Sequence, residues 1–72
     1  MMGAFSQSLR EKRKARGLSQ SELAAKAGSN KQTISRYERG ERDPTVATVN
    51  KLAAALQITV TELLNGIEQE AV

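Results

Sequence analysis

Lys31, Gln32, Ser35, Arg36 and Arg39 fall within nine consecutive residues of the 72-residue chain. Spaced at about 100° per residue on a helix, they occupy an arc of roughly 140°, with Ile34 and Tyr37 on the opposite side. Such a helix can bury its apolar side while holding two or three long hydrogen-bonding side chains outward. Arg or Lys can donate to guanine O6 and N7, and Gln can donate to adenine N7 while accepting from N6. The arc therefore has the chemistry for reading base edges in a duplex groove. An ordinary solvated helix face uses the same residue types, so the arc must be weighed with its surroundings.

Other chemistries lack their residues. The chain has no His and no Cys, which removes zinc sites built from imidazole and thiolate, disulfide staples and imidazole bases. No Gly-rich phosphate loop follows a strand, and the scattered Glu residues have no convergent partner, so neither an enzyme nor a bound cofactor or metal is expected. Ser19 and Ser35 are better suited to helix capping and groove contact than to nucleophilic attack. Phe5 and Tyr37 are the only aromatic residues, too few for the stacking platforms that hold single-stranded bases, which favours duplex. The longest apolar run, 52–56, is far shorter than the roughly 20 residues of a membrane span, and no amino-terminal signal peptide is legible. A cytoplasmic protein is expected.

The formal charge of +3 is unevenly distributed. Residues 1–42 carry ten Lys or Arg against four Glu, whereas residues 43–72 carry one Lys against one Asp and three Glu. This polarity fits a first half that faces a polyanion and a second half that packs or pairs, although solvated surface charge has the same appearance.

The elements that must position these residues are marked by their ends. Gly17, Gly28, Gly40 and Gly66 each follow a helix-favouring stretch, where a left-handed residue would close a helix. Ser19 with Glu22 and Thr59 with Glu62 match the S/T-x-x-E capping box, and Asn30 and Thr45, the latter after Pro44, are placed to cap two more helices. The spacing predicts an all-α fold with helices over 4–16, 20–27, 31–39, 45–56 and 60–65. Residues 4–66 would form the core of a single domain and 67–72 a tail. Only Gly28-Ser29-Asn30 joins the second helix to the third, which forces a steep crossing.

One apolar stripe per helix supplies a common core: Phe5 and Leu9; Leu23, Ala24 and Ala27; Ile34 and Tyr37; Val49, Leu52, Ala53 and Leu56; Val60, Leu63 and Leu64. Helices this short are marginal alone, so mutual packing must hold them, at about 2 kcal/mol per buried Leu or Ile. A steep two-helix turn, a basic face on its second helix, and a capped start to its first that can hold a phosphate now stand together.

With these features the sequence resembles the lambda-repressor-like, Cro/C1-type helix-turn-helix proteins, or xenobiotic-response-element family. The resemblance spans nearly the whole chain. It is carried by Leu9-Arg10 with Arg13, by Arg16-Gly17-Leu18-Ser19-Gln20 with Leu23-Ala24, and by Ile34-Ser35 with Tyr37-Glu38 and Gly40. Pro44-Thr45, Lys51-Leu52-Ala53, Ala55-Leu56 and Glu62-Leu63-Leu64 complete it.

The resemblance implies a compact five-helix domain whose helices 2 and 3 form the helix-turn-helix, with Gly28 as the turn and Ile34 as the buried anchor of the recognition helix. It implies base contacts from Lys31, Gln32 and Arg36, with Ser35 a further candidate, and phosphate contacts from Gln20, Arg39 and the loop from Gly40 to Asp43. Arg42 is added from its place in that basic loop, where a solvated charge is the alternative. Arg10 and Lys14 are ordinary surface charges first and phosphate contacts second. Similar proteins use the equivalents of Arg13 and Glu38 as a partly buried ion pair, and the spacing agrees, since Glu38 lies beside Ile34 on the inward edge of its helix.

Three positions depart from the pattern: Lys12 where Leu or Ile is more frequent, Ser29 where a small aliphatic is usual, and Gln57 where Gly commonly ends the fourth helix. The implied function is a homodimeric repressor on a palindromic operator, with half-site centres roughly 34 Å apart. The dimer contact is expected from the fifth helix and the 67–72 tail. The alternative is an antitoxin or a bridging protein-interaction module built on the same helices.

Overall fold

The computed structural model describes residues 2–68, with side-chain surroundings for residues 5–64. The described residues form five helices and no strand: α1 (Met2–Ala15), α2 (Gln20–Lys26), α3 (Lys31–Glu38), α4 (Val46–Leu56) and α5 (Val60–Glu68). The all-α expectation therefore holds, and its boundaries agree to within a few residues. The expected tail contact between subunits falls largely on residues outside those described.

The starts follow the local chemistry. Ser19 Oγ accepts from the Glu22 amide at 3.0 Å while Glu22 Oε1 accepts from the Ser19 amide at 2.7 Å. Thr59 and Glu62 repeat the exchange at 3.0 and 2.8 Å. Asn30 Oδ1 and Thr45 Oγ1 accept from the Thr33 and Thr48 amides. Each cap satisfies an amide that helical geometry leaves without a partner.

The ends are less uniform. Gly28 has φ 68°, and the chain reverses so that the Ser29 amide reaches the Ala24 carbonyl at 2.8 Å. That left-handed turn sets α2 against α3. Gln57 closes α4 with φ 61° and ψ 41°, a backbone state usually left to glycine. The expectation that Gly66 ends α5 is not met, because the helix runs through it to Glu68. A glycine permits a left-handed exit but does not impose one, and at about 1 kcal/mol its cost inside a helix is easily tolerated.

Leu9, Leu23, Ile34, Leu52, Leu56 and Leu63 are fully enclosed, joined by Phe5, Ala24, Tyr37 and Ala53. Phe5 and Tyr37 meet edge to face with ring centroids 6.3 Å apart, fastening α1 to α3. Val60 and Leu64, expected inside, are only half-buried, because they border an open groove between α4 and α5. Leu18 and Ile58 pack on the core from the linkers, where helical periodicity gives no signal. The buried Ser8 hydroxyl donates to the Leu63 carbonyl and ties α1 to α5. Arg16 Nη2 donates to the Gln57 carbonyl at 2.9 Å, giving a partner to a carbonyl at the end of α4.

Candidate nucleic-acid interface

The capped, steeply turned α3 stands with Ile34 and Tyr37 sunk into the core. Its other side carries Lys31, Gln32, Ser35, Arg36 and Arg39 around one shared patch of open surface. Lys31, Gln32 and Arg36 are exposed, and among the described residues none of them is held by a hydrogen bond or ion pair. Their donors and acceptors therefore remain available to a ligand. Burial on one side and unengaged polar groups on the other are what a helix inserted into a groove requires.

Ser35 and Arg39 are differently placed. Ser35 is half-buried, and its Oγ accepts from Arg39 Nη1 at 2.6 Å. The same guanidinium donates from Nε and Nη2 to the two carboxylate oxygens of Glu41, at 2.9 and 3.1 Å. This contact raises the Arg39 pKa and lowers that of Glu41, first through the shared hydrogen bonds and then through their opposite charges; for Glu41 desolvation opposes the change, and the nearby charge of Arg36 adds to it.

The turn after α3 makes the pairing possible. Gly40 has φ 73°, and the Glu41 amide reaches back to the Arg36 carbonyl at 2.9 Å, returning the chain to the end of its own helix. Sequence reasoning missed Glu41. An acidic residue directly after a helix-closing glycine, two positions beyond an Arg, was the signal that could have found it.

Around Glu38 a second set of groups converges. Its side chain is only 3% exposed. Arg13 donates from Nε and Nη2 to its two oxygens at 2.6 and 3.0 Å, and from Nη1 to the Leu18 carbonyl at 2.9 Å. The Arg13 pKa is raised, chiefly by the hydrogen bond to Glu38, against a smaller opposing effect of desolvation.

Gln20 Nε2 donates to Glu38 Oε1 at 3.1 Å, and Arg10 Nη2 donates to the Glu38 backbone carbonyl at 2.9 Å. Two expected phosphate contacts are thus also engaged at Glu38, Gln20 by its carboxylate and Arg10 by its backbone carbonyl, in the set of contacts that locks α1, α2 and α3 together. The structure brings Arg10, Lys14 and Arg39 to one cleft between α1 and the end of α3. Arg42 stands exposed in the following loop, with no partner among the described residues.

No group of three or more His, Cys, Asp or Glu among the described residues is arranged to hold a metal ion. No helix among them is long and apolar enough to cross a membrane.

Comparison with known proteins agrees with the architecture. The helix-turn-helix family model matches residues 9–63. An uncharacterized HTH-type transcriptional regulator of Sinorhizobium fredii is 40% identical over 57 residues, covering 79% of this chain and 74% of the relative. The cryptic phage CTXphi transcriptional repressor RstR of Vibrio cholerae is 38% identical over 64 residues, covering 89% of this chain and 58% of the repressor. The chain spans about half the length of several other curated relatives. Among solved structures, the restriction-modification controller protein C.AhdI of Aeromonas hydrophila superposes with a TM-score of 0.84 at 42% identity, covering 86% of this chain and 94% of that one.

Proposed function

The chain belongs to the helix-turn-helix family of transcriptional regulators, and from that premise we propose that it is a sequence-specific repressor that binds a palindromic operator in the cytoplasm as a homodimer. The observation that carries this reading is the unengaged outer face of α3: Lys31, Gln32 and Arg36 project from a helix whose inner side is fixed by Ile34 and Tyr37. In a major groove, Arg36 and Lys31 would donate to guanine edges and Gln32 would pair with adenine. Arg39, Arg42 and Arg10 would meet phosphates and set the register, as would Gln20 through whatever capacity Glu38 leaves it.

Two-fold pairing would double the base contacts and fix half-site spacing at roughly one helical turn, about 34 Å. A surface suited to that pairing lies away from α3. Pro44, Val46, Val49, Val60 and Leu64 line an almost wholly apolar groove, and Val46 is 79% exposed. Burying this groove against its symmetry mate would remove apolar surface from water and leave the basic half of each protomer free for DNA. A bound dimer blocks polymerase by occupancy, which makes repression the simpler sign of regulation.

Selection from a pool of random duplexes tests the reading. An enriched motif with two-fold symmetry is expected. Recovery of no shared motif at moderate salt overturns it and favours a protein-neutralising role instead.

A further inference from the structure

Among the described residues, Glu41 is the acidic side chain paired with the basic outer face of α3, and it occupies the Arg39 guanidinium as a phosphate would. The carboxylate takes Nε and Nη2 side-on at 2.9 and 3.1 Å, which is the bidentate fork that Arg also offers to phosphate. Arg39 spends a third donor on Ser35 Oγ at 2.6 Å. Three side chains on the reading face are therefore satisfied by one another before any ligand arrives.

The pair is nonetheless easily exchanged. Arg39 and Glu41 are 54% and 53% exposed, so water competes for both ends of the bridge. While paired, Arg39 and Glu41 together bring no net charge to a polyanion.

From this geometry, and resting on the DNA-binding reading above, we infer that Glu41 is an internal competitor of DNA phosphate for Arg39. Binding exchanges one anion for another: a backbone phosphate takes the fork, and Glu41 turns to solvent. Arg39 Nη1 keeps its hold on Ser35 through the exchange, because the phosphate takes the same Nε and Nη2 edge that Glu41 vacates. Glu41 thus lowers affinity for every duplex by holding Arg39 until a phosphate displaces it.

A two-by-two set tests this: the wild-type chain, Glu41→Gln, Arg39→Ala and the double variant, each titrated with the selected duplex and with a duplex of unrelated sequence. Glu41→Gln should tighten both complexes by a few fold at low salt and raise the number of counterions released by up to about one. In the Arg39→Ala background, the gain from Glu41→Gln should largely vanish. An undiminished gain there would make Glu41 a general repulsive charge and overturn the competition. Weakened binding by Glu41→Gln, confined to the selected duplex, would make Glu41 a positioning residue for Arg39 and overturn it as well. A selection from which wild-type protein retains no duplex at all would bring down the DNA-binding reading itself, an outcome separate from both.

Discussion

Arg13 grips both carboxylate oxygens of Glu38, at 2.6 and 3.0 Å, across 25 positions of sequence and with the Glu38 side chain almost entirely out of water. Removing the guanidinium leaves a desolvated carboxylate with only Gln20 and a distant Arg10 Nε at 4.0 Å to face it. Arg13→Ala should therefore cost roughly 3 kcal/mol, a large share of the stability of so small a domain. Replacing both partners by apolar residues of similar volume should cost less than the sum of the two single losses. Urea denaturation of the four variants measures the coupling. Any loss of DNA binding in Arg13→Ala should follow the unfolded fraction rather than reveal a missing contact.

The same pair shows which parts of the molecule were legible in the sequence. The capping boxes at Ser19 and Thr59 were readable because cap and partner lie three residues apart and the geometry is local. The inward edge of α3 at Glu38 follows from helical periodicity, and the family pattern supplied Arg13 as its partner. That Gln20 and Arg10 also turn to Glu38 was not readable, since it depends on where α1 and α2 are carried by packing. Leu18 and Ile58 escaped because linker residues have no period, and Gly66 misled because its backbone accepts helix as readily as turn.

Ser29, where an aliphatic residue is usual, is exposed at the edge of an open pocket of about 100 Å³ in which Ala27, Ile34, Tyr37 and Leu52 stand beside Thr48 and Lys51. Ser29→Val should lay methyl groups over the apolar side of that pocket and stabilise the fold by less than about 1 kcal/mol, since the burial they gain is partial. Thermal unfolding followed by circular dichroism checks it. A lower midpoint would mean that the turn, rather than the pocket, sets the preference at this position.

Gln57 holds its left-handed conformation without the freedom of glycine, while its backbone carbonyl accepts from Arg16. Gln57→Gly keeps that carbonyl and relieves the steric cost, which is roughly 1 kcal/mol for a residue with a Cβ. Part of the gain is returned as the greater freedom of glycine in the unfolded chain. The net expectation is a midpoint raised by a few degrees, since about 1 kcal/mol moves a domain of this size by roughly 4–8 °C.

Arg36 and Arg42 separate reading from holding. Arg36 projects from the outer face of α3 beside Gln32, whereas Arg42 stands in the loop beyond the helix, and both are exposed without a hydrogen bond or ion pair among the described residues. A guanidinium that donates to a base edge discriminates among bases, so Arg36→Ala should lose preference at one position in each half-site and cost about 1–3 kcal/mol on the selected duplex alone. A guanidinium on the backbone cannot tell one sequence from another, so Arg42→Ala should weaken all duplexes alike. It should also reduce the slope of log affinity against log salt by about one per protomer. Titrations of both variants against selected and unrelated duplexes at several salt concentrations distinguish the roles. An even loss in Arg36→Ala would move the base contacts elsewhere on α3, and a base-specific loss in Arg42→Ala would extend the reading surface into the loop.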